Sequence, residues 1–149
     1  PDLYVANDFG RNNLYRNEDG HFHDAAAELG VEDISAGMSA DWGDPDSDGD
    51  YDIYVGNMFS AAGNRIAYQR KFQADANEED RDAYKRHARG NSLFLNQGAD
   101  GFLDVSLSAG VNMGRWSWCS RFVDLNNDCR EDIVVCNGYI TSPGSTHDL

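Results

Sequence analysis

An internal repeat is the sequence feature that most constrains the fold. Asp2-Leu-Tyr-Val-Ala-Asn7 returns as Asp52-Ile-Tyr-Val-Gly-Asn57 and again as Asp132-Ile-Val-Val-Cys-Asn137. A second element, Leu14-Tyr-Arg-Asn17, returns as Leu93-Phe-Leu-Asn96. Recurrence in a fixed order is typical of repeat architectures, in which each unit buries its hydrophobic face against the next unit. The chain is therefore expected to fold as a series of similar units.

The repeated elements have the composition of short β-strands. They are rich in β-branched and aromatic residues and are bounded by Gly, Asn and Asp, which favour turns. The Asp19-Gly20 and Asp100-Gly101 steps supply the positive φ angles that tight hairpins need. We predict nine strands, at residues 2–6, 13–17, 21–25, 37–43, 52–57, 92–96, 102–106, 117–123 and 132–137.

The spacing of these strands is typical of β-propeller blades, each of which is a four-stranded antiparallel sheet. The predicted strands amount to a little over two blades, whereas about 4–8 blades are needed to close a ring. The expected fold class is therefore all-β, and we expect residues 1–149 to be a fragment of a β-propeller. We expect the remaining blades of the propeller to come from a longer parent chain.

The segment 58–90 interrupts the repeat and reads differently from the rest of the chain. Residues 76–88 are rich in helix formers. Asn77 is expected to cap this helix at Asp80, and Asp82 is expected to pair with Arg86 one turn further on. We predict a mostly polar helical or loop insertion. It is either a solvated decoration or a candidate for an individual function of this protein.

Two acidic loops carry the clearest chemical signal. The first loop, 44–52, and the second loop, 124–132, share the pattern D-x-[DN]-x-D-x-x-x-D. Side chains at positions 1, 3, 5 and 9 of a curled loop, with the carbonyl at position 7, can converge on one ion. Hard oxygen ligands in this number suit Ca²⁺ better than Mg²⁺, zinc or copper. The predicted ligands are the side chains of Asp44, Asp46, Asp48, Asp52, Asp124, Asn126, Asp128 and Asp132, and the carbonyls of Asp50 and Arg130.

The sequence also bears on two other interpretations of these loops. An EF-hand needs a bidentate Glu at position 12, but Val55 and Val135 occupy that position inside strand-like runs. A second interpretation is that the loops are acidic turns that bind no metal. It applies especially to the second loop, because Cys129 replaces the Gly that eases the turn at position 6. Asp2 would be position 9 of a third loop whose earlier residues are absent from the sequence.

The net charge of −14 narrows the range of partners. An acidic surface is repelled by the phosphates of nucleic acids and by anionic membranes, so neither is an expected partner. No apolar run approaches the ~20 residues that cross a bilayer, so no transmembrane segment is predicted. Cations, either metal ions or basic surfaces, are the natural partners of such a chain.

The cysteines and two of the histidines allow several interpretations. Cys119, Cys129 and Cys136 lack C-x-x-C spacing, which argues against a structural zinc site. Cys119 and Cys136 lie on either side of a loop, so one disulfide with one free thiol is possible, as are three reduced cysteines. His21 and His23 would share a strand face, either as polar surface residues or as a metal or acid–base pair.

The order of these motifs resembles the FG-GAP/VCBS repeats of integrin α-subunit propellers and of bacterial proteins of the cartilage-acidic-protein and ASPIC/UnbV type. The resemblance rests on the strand–acidic loop–strand unit, on Asn-x-Leu-[Tyr/Phe]-x-Asn and on Asp-Gly-x-Phe-x-Asp, and it covers the chain outside 58–90. It implies a propeller of about seven blades, calcium in the blade loops, export from the cytoplasm, and roles in adhesion or recognition. The insertion and Cys129 depart from the family pattern.

We therefore expect a calcium-binding extracellular β-propeller module that serves structural scaffolding, adhesion or recognition of a protein or glycan ligand. It is expected to be secreted to the extracellular space, the cell surface or the periplasm. The sequence holds no nucleophile–base constellation or cofactor motif, so an enzyme is not expected. The alternatives are a part of a propeller-based secreted enzyme, polysaccharide-active or redox, and a subunit of a larger membrane-associated assembly.

Overall fold

The computed structural model of the chain describes residues 1–138, whose strands form three antiparallel sheets. All nine predicted strands are present, with ends that differ by at most two residues from those predicted. The first sheet contains β1 (Leu3–Val5), β2 (Asn13–Glu18) and β3 (His21–Asp24). The second contains β4 (Gly37–Gly43), β5 (Asp52–Asn57), β6 (Ser92–Asn96) and β7 (Phe102–Asp104). The third contains β8 (Ser117–Val123) and β9 (Asp132–Asn137).

The second and third sheets repeat the same local geometry. β4 pairs with β5 in a register that sets Ser39 opposite Gly56, and β8 pairs with β9 in a register that sets Cys119 opposite Cys136. Both hairpins contain one irregularity, between Gly37 and Ser39 in one and at the equivalent place in the other. An insertion of one residue bends a strand and raises its twist, so both hairpins curve alike.

The hydrophobic core lies between successive sheets, and β5 is buried on both of its faces. Side chains alternate across a strand, so Ile53 and Val55 pack with residues of the first sheet. Tyr54 points the other way and packs with Phe122 of the third sheet, with ring centroids 6.1 Å apart. The near-continuous apolar run of β5 thus follows from its position between two neighbouring sheets.

The second and third sheets meet closely along β4 and β8. The hydroxyls of Ser39 and Ser120 lie 2.8 Å apart, and Asp41 Oδ2 accepts a hydrogen bond from the Phe122 amide at 2.8 Å. A Cβ at Gly43 would collide with the Phe122 ring and with the Glu131 carboxylate. Only glycine fits there, and this close approach brings the two acidic loops next to each other.

The segment between β5 and β6 contains two helices, α1 (Ala61–Ala67) and α2 (Glu78–Arg89). The predicted cap is confirmed, since Asn77 Oδ1 accepts from the Asp80 amide at 2.7 Å. The predicted Asp82–Arg86 pair is wrong. Asp82 bonds to Lys85 at 2.6 Å, and Arg86 turns inward to the buried Asp33 at 2.8 Å.

The ion pairs of α2 fix it to the sheets. Arg86 and Arg89 both reach Asp104 at the end of β7, at 3.1 and 2.9 Å. Burial raises the pKa of Asp104, but the Ser106 hydroxyl and Arg89 outweigh burial and hold the pKa below its usual value. Among residues 1–138 no helix combines the length and the apolar character that crossing a bilayer requires.

Candidate metal centre

The two acidic loops occupy equivalent places in the fold. The first loop connects β4 to β5, and the second loop connects β8 to β9. Each links two strands that are paired directly, so both ends of each loop are held by a ladder of backbone hydrogen bonds. The fold thus places the first residue of each loop close to its ninth.

The first loop curls around the carboxylate of Asp44. Its two oxygens accept hydrogen bonds from the amides of Asp48 at 3.0 Å and Gly49 at 3.1 Å. Asp46 accepts from the Asp48 amide at 3.3 Å, and Asp48 accepts from the Asp50 amide at 2.9 Å. These backbone amides have no strand partner that could accept their hydrogen bonds. The side-chain acceptors at positions 1, 3 and 5 take this role and hold the turn.

The second loop makes the same four hydrogen bonds. Asp124 accepts from the amides of Asp128 at 3.1 Å and Cys129 at 2.9 Å. Asn126 accepts from the Asp128 amide, and Asp128 accepts from the Arg130 amide, each at 2.9 Å. The curl of the loop is therefore preserved although an amide replaces the carboxylate at position 3.

Positions 4 and 6 of both loops lie in the left-handed backbone region. Ser47 and Asn127 have φ angles of 61° and 59°, while Gly49 and Cys129 have φ angles of 96° and 67°. A side chain is disfavoured in this region, yet Cys129 adopts it. The replacement of Gly by Cys does not change the turn.

The first loop gathers three carboxylates around one centre. One oxygen from each of Asp44, Asp46 and Asp48 lies within 4.8 Å of the others, and Asp46 and Asp48 are exposed. Carboxylates held so close repel one another in the absence of a cation. Among the residues that the structure describes, no other three His, Cys, Asp or Glu side chains are grouped in this way.

The last acid of the first loop, Asp52, is 1% exposed. Its Oδ1 accepts from the Asn96 amide of β6 at 2.7 Å, whereas its Oδ2 is buried without a hydrogen-bond partner. Burial, and then the charges of Asp46, Asp48 and Asp44, raise the pKa of Asp52 to about 6. A buried carboxylate oxygen without a donor costs free energy that a bound cation would offset. The donor set of the first loop therefore fits a hard cation.

A comparison with known families agrees with this arrangement. Residues 1–55, which include the first sheet and the first loop, match the family of the FG-GAP-like repeat. The chain therefore contains an FG-GAP-like repeat at residues 1–55. No curated protein and no solved structure matches it significantly. The resemblance to FG-GAP repeats inferred from the sequence is confirmed for residues 1–55, while the ASPIC/UnbV subtype stays a prediction.

The second loop carries fewer carboxylates and is arranged more loosely than the first loop. The Asn126 side-chain amide donates to Asp128 Oδ2 at 3.0 Å, so this carboxylate oxygen already has a hydrogen-bond donor. Asp132 is only partly buried, and its Oδ2 accepts from the Leu125 amide at 3.1 Å. The structure thus places the predicted ligands of the second loop in the same order, with less uncompensated charge. The predicted ligands of both loops, including the carbonyls of Asp50 and Arg130, stay predictions.

One residue of the site was missed by the sequence analysis. Glu131, at position 8 of the second loop, reaches across to the first loop, where its Oε2 accepts from the Asp44 amide at 2.7 Å. The first loop has the exposed Tyr51 at the same position. The contact depends on the packing of β4 against β8, and no spacing within the sequence signals it.

The structure also places the residues of two further predictions. Asp2 Oδ1 accepts from the Asn17 amide at 3.0 Å, as Asp52 does from Asn96, so Asp2 is the structural counterpart of the ninth loop position. His21 and His23 lie on β3 and are exposed, and His23 Nε2 lies 3.9 Å from a Glu18 carboxylate oxygen. The interpretation of the histidines as an acid–base or metal pair stays a prediction.

Proposed function

We propose that this protein is a calcium-binding module of an extracellular β-propeller that serves scaffolding, adhesion or recognition. The observation that carries the proposal is the unpartnered Oδ2 of the buried Asp52, beside the grouped carboxylates of Asp44, Asp46 and Asp48. An acidic cluster on a surface is common, but a buried carboxylate oxygen without a donor is rare and calls for a compensating charge.

The chemistry of the ligands favours calcium over other metals. All the predicted ligand atoms are oxygens, from carboxylates, one amide and backbone carbonyls, and none is a sulfur or an imidazole nitrogen. Such sets suit hard cations, whereas zinc and copper prefer nitrogen and sulfur. A loop with five oxygen positions and room for bidentate carboxylates suits the 6–8 ligands and the flexible geometry of Ca²⁺ better than the strict octahedron of Mg²⁺.

The role proposed for the ion is structural. Asp52 joins the first loop to the start of β5 and, through the Asn96 amide, to β6. A ligand that binds these groups in the folded chain and not in the unfolded chain stabilises the sheet. Extracellular calcium modules have Kd values of about 10⁻⁴–10⁻³ M, which match the millimolar calcium outside cells. Secretion to the cell exterior or the periplasm follows from this requirement.

The propeller architecture is supported by the succession of sheets. Each sheet packs face to face on the next, and the second sheet has the four strands in meander order that a blade requires. We take the first and third sheets as parts of two neighbouring blades. Propellers present loops at the ends of their blades, and the proposed ligand, a protein or a glycan, would bind there. The acids of the loops serve the metal in this proposal, so no catalytic role is assigned to them.

Isothermal titration calorimetry with CaCl₂ tests the proposal. We expect two sites, and we expect Asp48→Ala and Asp128→Ala each to remove one of them. Asp75→Ala, which changes an exposed aspartate of the insertion, is the matched control and should keep both sites. A calorimetric trace without heat of binding, together with a melting temperature that EDTA leaves unchanged, would rule the proposal out.

A further inference from the structure

Cys119 and Cys136 face each other across the third sheet. They are directly opposed in the antiparallel register of β8 and β9, and both are exposed thiols. On β8 the buried Ser120 and Phe122 face the second sheet, so Cys119 lies on the opposite face. Opposed residues of paired strands share a face. Cys136 therefore lies on the same side of the sheet as Cys119.

The equivalent pair in the second sheet shows how close these side chains come. Ser39 and Gly56 have the same register and lie beside the same irregularity as Cys119 and Cys136. A Cβ at Gly56 would collide with the Ser39 hydroxyl, so side chains at these two positions point at each other. Directly opposed residues have Cα atoms about 4.5–5.5 Å apart, which lies within the 4.4–6.8 Å that disulfides span.

We propose that Cys119 and Cys136 form a disulfide that links β8 to β9, while Cys129 keeps its thiol. The thiolate of one cysteine attacks the disulfide of an oxidant, either glutathione disulfide or the disulfide of an oxidoreductase, and forms a mixed disulfide. The second thiolate then displaces the remaining oxidant thiol. Two protein thiols thus lose two protons and two electrons, and one oxidant disulfide becomes two thiols.

Cys129 is excluded from the pair by its position. It lies in the second loop, beyond the last pair of the ladder, Val123 opposite Asp132. A strand rises about 3.3 Å per residue, so Val123 alone lies about 13 Å from Cys119 along β8. Cysteines whose Cα atoms are more than about 7 Å apart cannot be joined without moving the backbone. A bond from Cys129 to either partner would require the hairpin to open.

The disulfide would enclose the second loop, because Cys119 precedes this loop and Cys136 follows it. A covalent link across the hairpin restricts the unfolded chain and keeps both ends of the loop together. The inference uses only the register of β8 and β9. It does not depend on calcium binding, although an extracellular or periplasmic site would favour oxidation.

Peptide mapping of the full-length protein tests the pairing directly. Cleavage after Arg115, Arg121 and Arg130 places the three cysteines in separate tryptic peptides, which are 116–121, 122–130 and the peptide that begins at Glu131. The folded protein is equilibrated with glutathione disulfide, alkylated, denatured and digested. We expect peptide 116–121 to be linked to the peptide that begins at Glu131, and we expect peptide 122–130 to be recovered alkylated. Reduction before alkylation should abolish the link.

Single cysteine variants give a second test of which two cysteines form the disulfide. Cys129→Ser should keep the linked peptides, whereas Cys119→Ser and Cys136→Ser should each lose them. The oxidised protein should melt at a higher temperature than the reduced protein, and this difference should vanish in Cys119→Ser. Alkylation of all three thiols after the equilibration, or a linked species that contains 122–130, would overturn the proposal.

Discussion

The first and second loops share one backbone conformation but carry different charges. Both make the same four hydrogen bonds and place positions 4 and 6 in the left-handed region. The first loop holds five aspartates, a formal charge of −5, whereas the second holds three aspartates and Glu131 against Arg130, a formal charge of −3. The acceptors at positions 1, 3 and 5 therefore suffice to shape the loop, and the remaining positions set how strongly it attracts a cation.

The ninth position differs in a second way. Asp52 is buried, has one oxygen without a donor and is bound by the Asn96 amide of the third strand of its sheet. Asp132 is partly exposed and bonds within its own loop, to the Leu125 amide. In the first loop a predicted ligand is thus part of the sheet, and a cation there would stabilise the sheet as well as the turn.

Removal of calcium from both loops is expected to have the largest effect. With Kd values of about 10⁻⁴–10⁻³ M, each site contributes about 1.4–2.7 kcal/mol at about 10 mM calcium. Urea unfolding in EDTA should therefore give a free energy of unfolding lower by about 3–5 kcal/mol than in calcium. Magnesium at the same concentration is the control and should restore little of this difference. An unfolding curve that is the same in EDTA and in calcium would contradict the prediction.

Asp52→Asn and Asp132→Asn test whether the aspartates at position 9 of the two loops contribute differently to stability. In calcium, Asp52→Asn should lower the free energy of unfolding by about 1.4–2.7 kcal/mol, because the first loop loses its ion. In EDTA, the same change should leave the protein at least as stable as the wild type, because it removes a buried charge and keeps an acceptor for Asn96. Asp132→Asn should have no stabilising effect in EDTA. Equal responses of the two variants in EDTA would show that burial of Asp52 carries no cost.

The sequence predicted the parts of this structure that depend on local chemistry. The strands follow from alternating β-branched and aromatic residues, the Asn77 cap from its spacing to Asp80, and the curl of the loops from acceptors at alternate positions. The sequence did not predict contacts in which the partner residue comes from a distant element. Arg86 pairs with Asp33 and not with Asp82, because a buried carboxylate attracts it more strongly than an exposed one one turn away.

The contact between the first and second loops also depends on a partner from a distant element. Glu131 meets the Asp44 amide only because Gly43 lets β4 approach β8 closely. Asp52 was predicted as a ligand from its spacing, but its burial depends on the strands around it. Local spacing could therefore name the residues of the site, whereas the electrostatic difference between the loops required the packing of the sheets.

Glu131→Ala tests whether the two loops are coupled. The change lies in the second loop but leaves the Asp44 amide of the first loop without its acceptor, at a cost of about 1 kcal/mol. Calcium affinity of the first loop, measured by calorimetry in an Asp128→Ala background, should fall by about fivefold. Glu131→Gln keeps an acceptor and removes only the charge, so its loss should be smaller. If both variants lose the same affinity, the effect is one of charge and not of the hydrogen bond.

The smallest expected effects are those of the Cys129 variants at position 6, where Gly49 and Cys129 share a left-handed backbone. A Cβ at Gly49 would have no atom within 4 Å, so Gly49→Ala should cost about 1–2 kcal/mol through the backbone alone. Cys129→Gly relieves the same strain but adds freedom to the unfolded chain, about 0.5–1 kcal/mol, so its net gain should be below about 1 kcal/mol. Cys129→Ala removes the thiol and keeps the Cβ, and it should leave the urea midpoint unchanged. The second loop already accepts a side chain at this position. If Gly49→Ala and Cys129→Gly change the free energy of unfolding in opposite directions, the two turns differ there in backbone strain and not through the thiol. A loss of stability in Cys129→Gly would instead mean that the Cys129 side chain contributes contacts that outweigh its strained backbone.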